Sequence, residues 1–195
     1  MENEIKEPAL KYNYISAQEY LEMERSSPEK HELHRGTVIT MTGASLKHNQ
    51  IVTNLVADIG TFLKGKSCQV FPSDLRTKVP TADTFTYPDV SIVCGEPELM
   101  DEHFDTILNP SVIIEVLSPS TEKYDKGNKF LYYMQISSLK EYFMISSTEI
   151  YIQTACKQSD NSWKFEEIKN ATASLFINTI QHAISLNDIY NNVKF

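Results

Sequence analysis

The chain has 195 residues, 18 Lys and Arg against 26 Asp and Glu, a formal net charge of -8 and 41% hydrophobic residues. Such a chain buries a sizeable core as one domain spanning residues 1–195; its composition excludes disorder, and its acidic balance works against loose binding of polyanions. Apolar runs reach only about six residues against the ~20 that cross a bilayer, and the start MENEIKEPALKY is too charged for a signal peptide, so a cytoplasmic location with no membrane partner is expected.

Ser16 followed by Glu19 forms a capping box, which predicts a short helix from about Ala17 to Met23, ending before Pro28. HELHRGTVITM then reads as a hairpin turning at Arg35-Gly36. Ile51, Val52, Leu55, Val56, Ile59, Phe62 and Leu63 recur at helical spacing, so a long amphipathic helix is expected from Ser45 to Leu63, with Gly65 closing it. CQVFP, DLRTKV and YPDVSIVC follow as strand-like segments with the look of a meander. Next come a Pro- and acid-containing loop, the apolar strand VIIEVL, and TEKYDKGNKFLYYMQI, whose helical spacing is weakened early by Gly127. EYFMIS and EIYIQTA, joined at Ser146-Ser147-Thr148, and WKFEEIK are expected strands, and a short helix capped at Ser185 closes the chain. This order indicates a mixed α/β domain with a central sheet, an N-terminal helix and a hairpin. Cys68, Cys94 and Cys156 are odd in number and lack a CxxC pairing, so they read as packing residues rather than a disulfide or zinc framework.

Glu115 is the anomaly. It sits among Val112, Ile113, Ile114, Val116 and Leu117, and a carboxylate taken out of water without a partner costs several kcal/mol. Alternation places Ile113, Glu115 and Leu117 on one strand face, and Asp89, Ser91 and Val93 on one face of YPDVSIVC. If the two strands pair with these faces in common, two carboxylates converge. Either one then keeps its proton at a raised pKa, or a cation sits between them. Mg²⁺ suits that place, because it commonly takes one or two protein carboxylates together with waters and substrate phosphate. Lys123, Lys126 and Lys129 lie on the following helix, with Lys129 one turn past Asp125.

The segments HELHRGTVITMTGAS, HNQIVTNL, FPSDLRTKVP with TYPDVSIVCGEPE, and NPSVIIEVLSPSTEKYDKGNKFLYYMQ with EYFMI resemble the Uma-two family, from about Ser16 to Ile145. That family, once called domain of unknown function 820, is placed among the restriction-endonuclease-like proteins of the PD-(D/E)XK superfamily. The resemblance implies a central mixed sheet flanked by helices and a Mg²⁺-dependent nuclease site, with Mn²⁺ as a substitute and DNA as substrate. It implies Asp89 and Glu115 as metal-binding acids, the backbone carbonyl of Val116 as a further metal ligand, and products carrying a 5′-phosphate and a 3′-hydroxyl. The lysine expected two residues after the glutamate is Leu117 here, and Lys129 matches the position to which it has moved in similar families. Glu32 matches an acidic residue near the site, binding the metal or a water beside it.

Each residue also has a plain reading. Asp89 after Pro88 could cap a turn, Glu115 could pair with Lys123 or Lys126 at a strand end, and Lys129 could be a solvated helix lysine. His48 and Asp74 are weaker candidates, and the tyrosines of the helix suit core packing better than base stacking. A chain this acidic is an unusual catalyst for a polyanion unless a homodimer or a locally positive cleft relieves the charge. Two alternatives therefore stand: a nuclease-fold binding domain without activity, and a metal-dependent hydrolase of small phosphoesters.

Overall fold

A computed structural model describes residues 14–80, 83–119 and 121–195. In chain order the elements are α1 (Ala17–Ser26), β1 (His31–His34), β2 (Thr37–Thr40), α2 (Leu46–Leu63), β3 (Cys68–Pro72), β4 (Arg76–Val79), β5 (Thr84–Thr86), β6 (Val90–Cys94), β7 (Thr106–Ile107) and β8 (Val112–Leu117). They continue with α3 (Glu122–Tyr124), a π-helical turn (Asp125–Lys129), α4 (Phe130–Tyr133), β9 (Glu141–Ser146), β10 (Ile152–Lys157), β11 (Trp163–Ile168), β12 (Ser174–Ile177), β13 (His182–Ser185) and α5 (Leu186–Ile189). The result is a mixed α/β fold.

The centre is a six-stranded mixed sheet in the order β11-β10-β9-β8-β6-β3, in which β8 and β9 run parallel and every other pair is antiparallel. Strand β8 is buried along its whole length because both faces are covered. Val112, Ile114 and Val116 pack with Ile51, Leu55 and Ile59 of α2, while Ile113 and Leu117 pack with Phe130, Tyr133 and Tyr142. A second sheet, β2-β1-β5-β4-β7, stacks Leu33 and Phe85 on Tyr20 and Leu21 of α1.

The capping box at Ser16 is formed, with the Glu19 N–H donating to Ser16 Oγ, and α1 runs on to Ser26. The hairpin turns at Arg35 and Gly36 as expected, and Gly36 adopts φ +82° with the Tyr14 ring against it, where a Cβ would clash with that ring. Ser45 caps α2, and the short helix at Ser185 is also formed. The DKGNK stretch winds as a π turn within the helical segment, and β10 starts later than the expected EIYIQTA segment.

Two expectations are corrected, and one hairpin is added. CQVFP, DLRTKV and YPDVSIVC are not a meander: β3 pairs with β6, whereas β4 leaves for the second sheet and pairs with β5. Turn signals mark where strands end, but the partner of each strand is set by nonlocal packing. A hairpin that sequence patterning missed, β12–β13, contributes Leu175, Ile177 and Ile184 to the α2 side of the core. Its turn is held by the buried Glu141, which accepts from the Asn178 N–H (2.9 Å), Asn178 Nδ2 (2.8 Å) and the Thr179 N–H (2.7 Å).

The second correction concerns the cysteines. Cys68 and Cys94 are opposite residues of β3 and β6 and form a disulfide, while Cys156 remains a free thiol that burial, then Glu141, pushes up to about 11. Spacing along the chain carried no sign of the pairing, because strand register creates it. Closing a loop of this length stabilises the fold by about 3.5 kcal/mol in the chain-entropy account. Thiol titration in denaturant is expected to find one reactive thiol before reduction and three after, with the urea midpoint falling on reduction; three before reduction would refute the pairing.

Candidate active site

The register of β6 and β8 decides where the two acids meet. Val90 lies opposite Ile114 and Ser91 opposite Ile113, so one step further Asp89 faces Glu115 across the same side of the sheet. The Asp89 N–H approaches Glu115 Oε2 at 3.4 Å, and Asp89 Oδ2 accepts from the Val116 N–H at 2.8 Å. Glu32 enters the same space from β1, and the helical segment lays Asp125, Lys129 and Tyr133 over it at four-residue spacing.

Lys129 answers the anomaly at Glu115. Its Nζ lies 2.9 Å from Glu115 Oε1, 3.2 Å from Glu32 Oε1 and 3.8 Å from Asp125 Oδ1. Of the two partners considered from the sequence, Lys123 and Lys126, the latter pairs instead with Glu122. Tyr133 Oη also donates to Glu115 Oε1 (2.9 Å) and reaches Thr86 Oγ1 at 3.0 Å. The Tyr87 N–H donates to Glu32 Oε1 (2.9 Å), His34 Nε2 lies 2.9 Å from Glu32 Oε2, and Tyr124 Oη lies 2.6 Å from His34 Nδ1. Glu32, Glu115, Asp125 and Lys129 are all buried.

These environments separate the acids. Burial pushes the Glu115 carboxyl well above the usual carboxylate range; Lys129 opposes this, and Asp89, Asp125 and Glu32 add to the rise. Burial likewise raises Asp125 against the pull of Lys129. At Glu32 burial is overcome by Lys129, His34 and the Tyr87 amide, which bring the carboxyl down to about 2. Burial works to lower Lys129, but Glu115 and Glu32 override it and hold the ammonium well above its ordinary value. Three carboxyl groups, Glu32, Glu115 and Asp125, thus surround one ammonium, and Asp89 adjoins Glu115.

Every residue chosen from the sequence for the site is accounted for. Asp89, Glu115, Lys129 and Glu32 come together, Asp125 joins them, and Val116 touches Asp89 through its amide. His48 also belongs, with Nε2 at 3.1 Å from Asp89 Oδ2. Asp74 lies on the surface paired with Lys30. Sequence reasoning passed over His34, and it assigned Tyr133 to core packing, a place Tyr133 does fill while also bonding Glu115. The signal for His34 was its place two residues after Glu32 on one strand, hence on the same face; for Tyr133 it was the helical spacing from Lys129. No three His, Cys, Asp or Glu side chains among the described residues converge as a ready-made metal cage.

The fold is that of a nuclease-like α/β protein. A family model described as "putative restriction endonuclease", Uma2, matches residues 17–187, and the chain belongs to that family. Two relatives of Synechocystis sp., both described as uncharacterized proteins, are each 32% identical. One matches over 188 residues, covering 96% of this chain and 97% of its own length. The other matches over 161 residues, covering 83% and 91%. The fold also matches the crystal structure of a "putative nuclease belonging to DUF820" from Anabaena variabilis, with a TM-score of 0.76 and 18% identity over 90% of this chain and 97% of that one.

Removing Lys129 strands a group of buried carboxyls, so Lys129→Met is expected to lower stability by about 3–5 kcal/mol. Glu115→Gln keeps Lys129 paired with Glu32 and should leave stability unchanged or raised. Urea denaturation of both variants checks this, and equal losses would contradict the arrangement. Because the Glu32 pKa is depressed in the folded state, its stabilising contribution is complete above the unfolded value of about 4.3 and is lost as pH falls toward 2. Glu32→Gln should therefore lose less stability than wild type across that window; parallel acid profiles would contradict the assignment.

Proposed function

We propose that this protein is a metal-dependent endonuclease that hydrolyses DNA phosphodiester bonds, with Mg²⁺ as its ion and Mn²⁺ as a substitute. The observation that carries the reading is the pairing of Asp89 and Glu115 on one sheet face, with Lys129 held against Glu115. The donor set suits Mg²⁺, which needs oxygen ligands and few protein carboxylates. Asp89 Oδ2 and Glu115 Oε1 are already engaged by the chain, while Asp89 Oδ1 has no hydrogen bond among the described residues, and Glu115 Oε2 meets only the long Asp89 N–H contact there. Burial and the neighbouring acids both disfavour the Glu115 carboxylate, and a cation held by Asp89, Glu115 and the Val116 carbonyl would offset this. When bound, such an ion neutralises charge on phosphate oxygens and lowers the pKa of a coordinated water.

The chain's own residues supply the rest. Lys129 stays an ammonium at neutral pH, so it acts as a fixed positive charge beside the phosphoryl oxygens and not as the base. Glu115 and Glu32 hold its Nζ in place, and Tyr133 keeps Glu115 from turning away. Burial of the cluster keeps water from screening these charges. The net charge of -8 favours a second reading, in which the same site hydrolyses a small phosphoester that needs no basic groove.

Plasmid DNA incubated with Mg²⁺ or Mn²⁺ should be nicked or cut, and Asp89→Asn and Glu115→Gln should abolish the reaction. Lys129→Met, assayed below its melting transition, should lower kcat by about 100- to 1,000-fold. Cleavage at the wild-type rate by Glu115→Gln would remove the basis of the proposal. Hydrolysis of a small phosphodiester with no action on DNA would select the second reading.

A further inference from the structure

His48 stands on the first turn of α2, after the Ser45 cap, and crosses to the sheet to meet Asp89. A carboxylate oxygen only accepts, so at 3.1 Å from Asp89 Oδ2 the imidazole Nε2 is the donor. The same oxygen accepts from the Val116 N–H at 2.8 Å. Two donors from different elements, a helix start and a strand backbone, therefore converge on one oxygen of one acid. The other oxygen, Oδ1, has no such bond among the described residues, and the Asp89 backbone N–H lies 3.4 Å from Glu115 Oε2.

The opposite ring nitrogen sharpens the point. His48 Nδ1 is buried and has no hydrogen-bond partner among the described residues. A buried polar atom left unpaired costs about 1–3 kcal/mol, and such atoms in folded proteins call for an explanation. Packing at this place would be served at lower cost by an apolar side chain, and the cap of α2 is made by Ser45 and the His48 backbone N–H, so neither role needs the imidazole. What the imidazole alone provides is the Nε2–H aimed at Asp89.

We infer that His48 is a positioning residue for Asp89: it fixes the carboxylate so that Oδ1 is presented to a divalent cation shared with Glu115. The inference rests on the metal-dependent reading above. Partners of this kind fix the orientation of metal-binding groups, and losing one weakens metal affinity about 10- to 100-fold.

The test is isothermal calorimetry of Mg²⁺ and Mn²⁺ binding to the full chain, without substrate, beside thermal melts. His48→Ala is expected to bind each ion at least about 10-fold more weakly than wild type, and His48→Gln, whose amide N–H can take the place of Nε2–H, should recover most of the affinity. A merely structural role would lower the melting midpoint of His48→Ala and leave the ion affinity of the folded protein unchanged, and that result overturns the inference. A folded His48→Gln protein that binds as weakly as His48→Ala overturns it as well. Failure of the wild-type chain to bind either ion is a distinct outcome, which removes the metal-dependent reading itself.

Discussion

A single buried ammonium organises the molecule. Lys129 leaves water at a desolvation cost of several kcal/mol, and only close, well-oriented carboxylates can offset it. Glu115 supplies one from β8 of the central sheet and Glu32 another from β1 of the second sheet, so the cation joins both sheets to the helical segment that carries it. The π turn over Asp125–Lys129 is part of the same arrangement, since it precedes Tyr133, whose hydroxyl meets Glu115 from the same helical face. π turns recur at functional sites because they change which side chains a helix presents inward.

The cluster also shows how one residue type takes different states a few ångströms apart. Glu32, with an ammonium, an imidazole and a backbone N–H around it, is held ionised. Glu115 shares the ammonium, but burial, and after it three neighbouring acids, pushes it toward its protonated form. Environments that separate neighbouring carboxyls in this way are how acid and base roles are distributed within a site. A local excess of negative charge repels a phosphodiester, so chemistry on such a substrate needs added positive charge. That requirement links the electrostatics of the folded chain to the proposed ion.

Glu141 provides the contrast. It too is a buried glutamate on a strand of the central sheet, yet backbone and amide N–H groups of Asn178 and Thr179 satisfy it fully, and it anchors a hairpin. A buried acid is therefore not evidence of chemistry by itself. The distinction lies in what surrounds it: a preformed set of donors at Glu141, and competing acids around one cation at Glu115.

Much of the local structure was legible in the sequence, because its causes are local. Ser16 and Glu19 cap α1 within four residues, Arg35-Gly36 turns a hairpin, and helical spacing marks α2. The alternation of YPDVSIVC and VIIEVL already places Asp89 and Glu115 on definite faces. Pairing between distant segments was beyond its reach. That β3 joins β6 and not β4, that Cys68 meets Cys94, and that His34 and His48 turn toward Glu32 and Asp89 depend on register and packing across the sheets, which no short window of residues encodes. The sequence by itself determined which residues carry charge into the core; the tertiary structure decided which of those charges meet, because a Coulomb interaction depends on distance in space and not on separation along the chain.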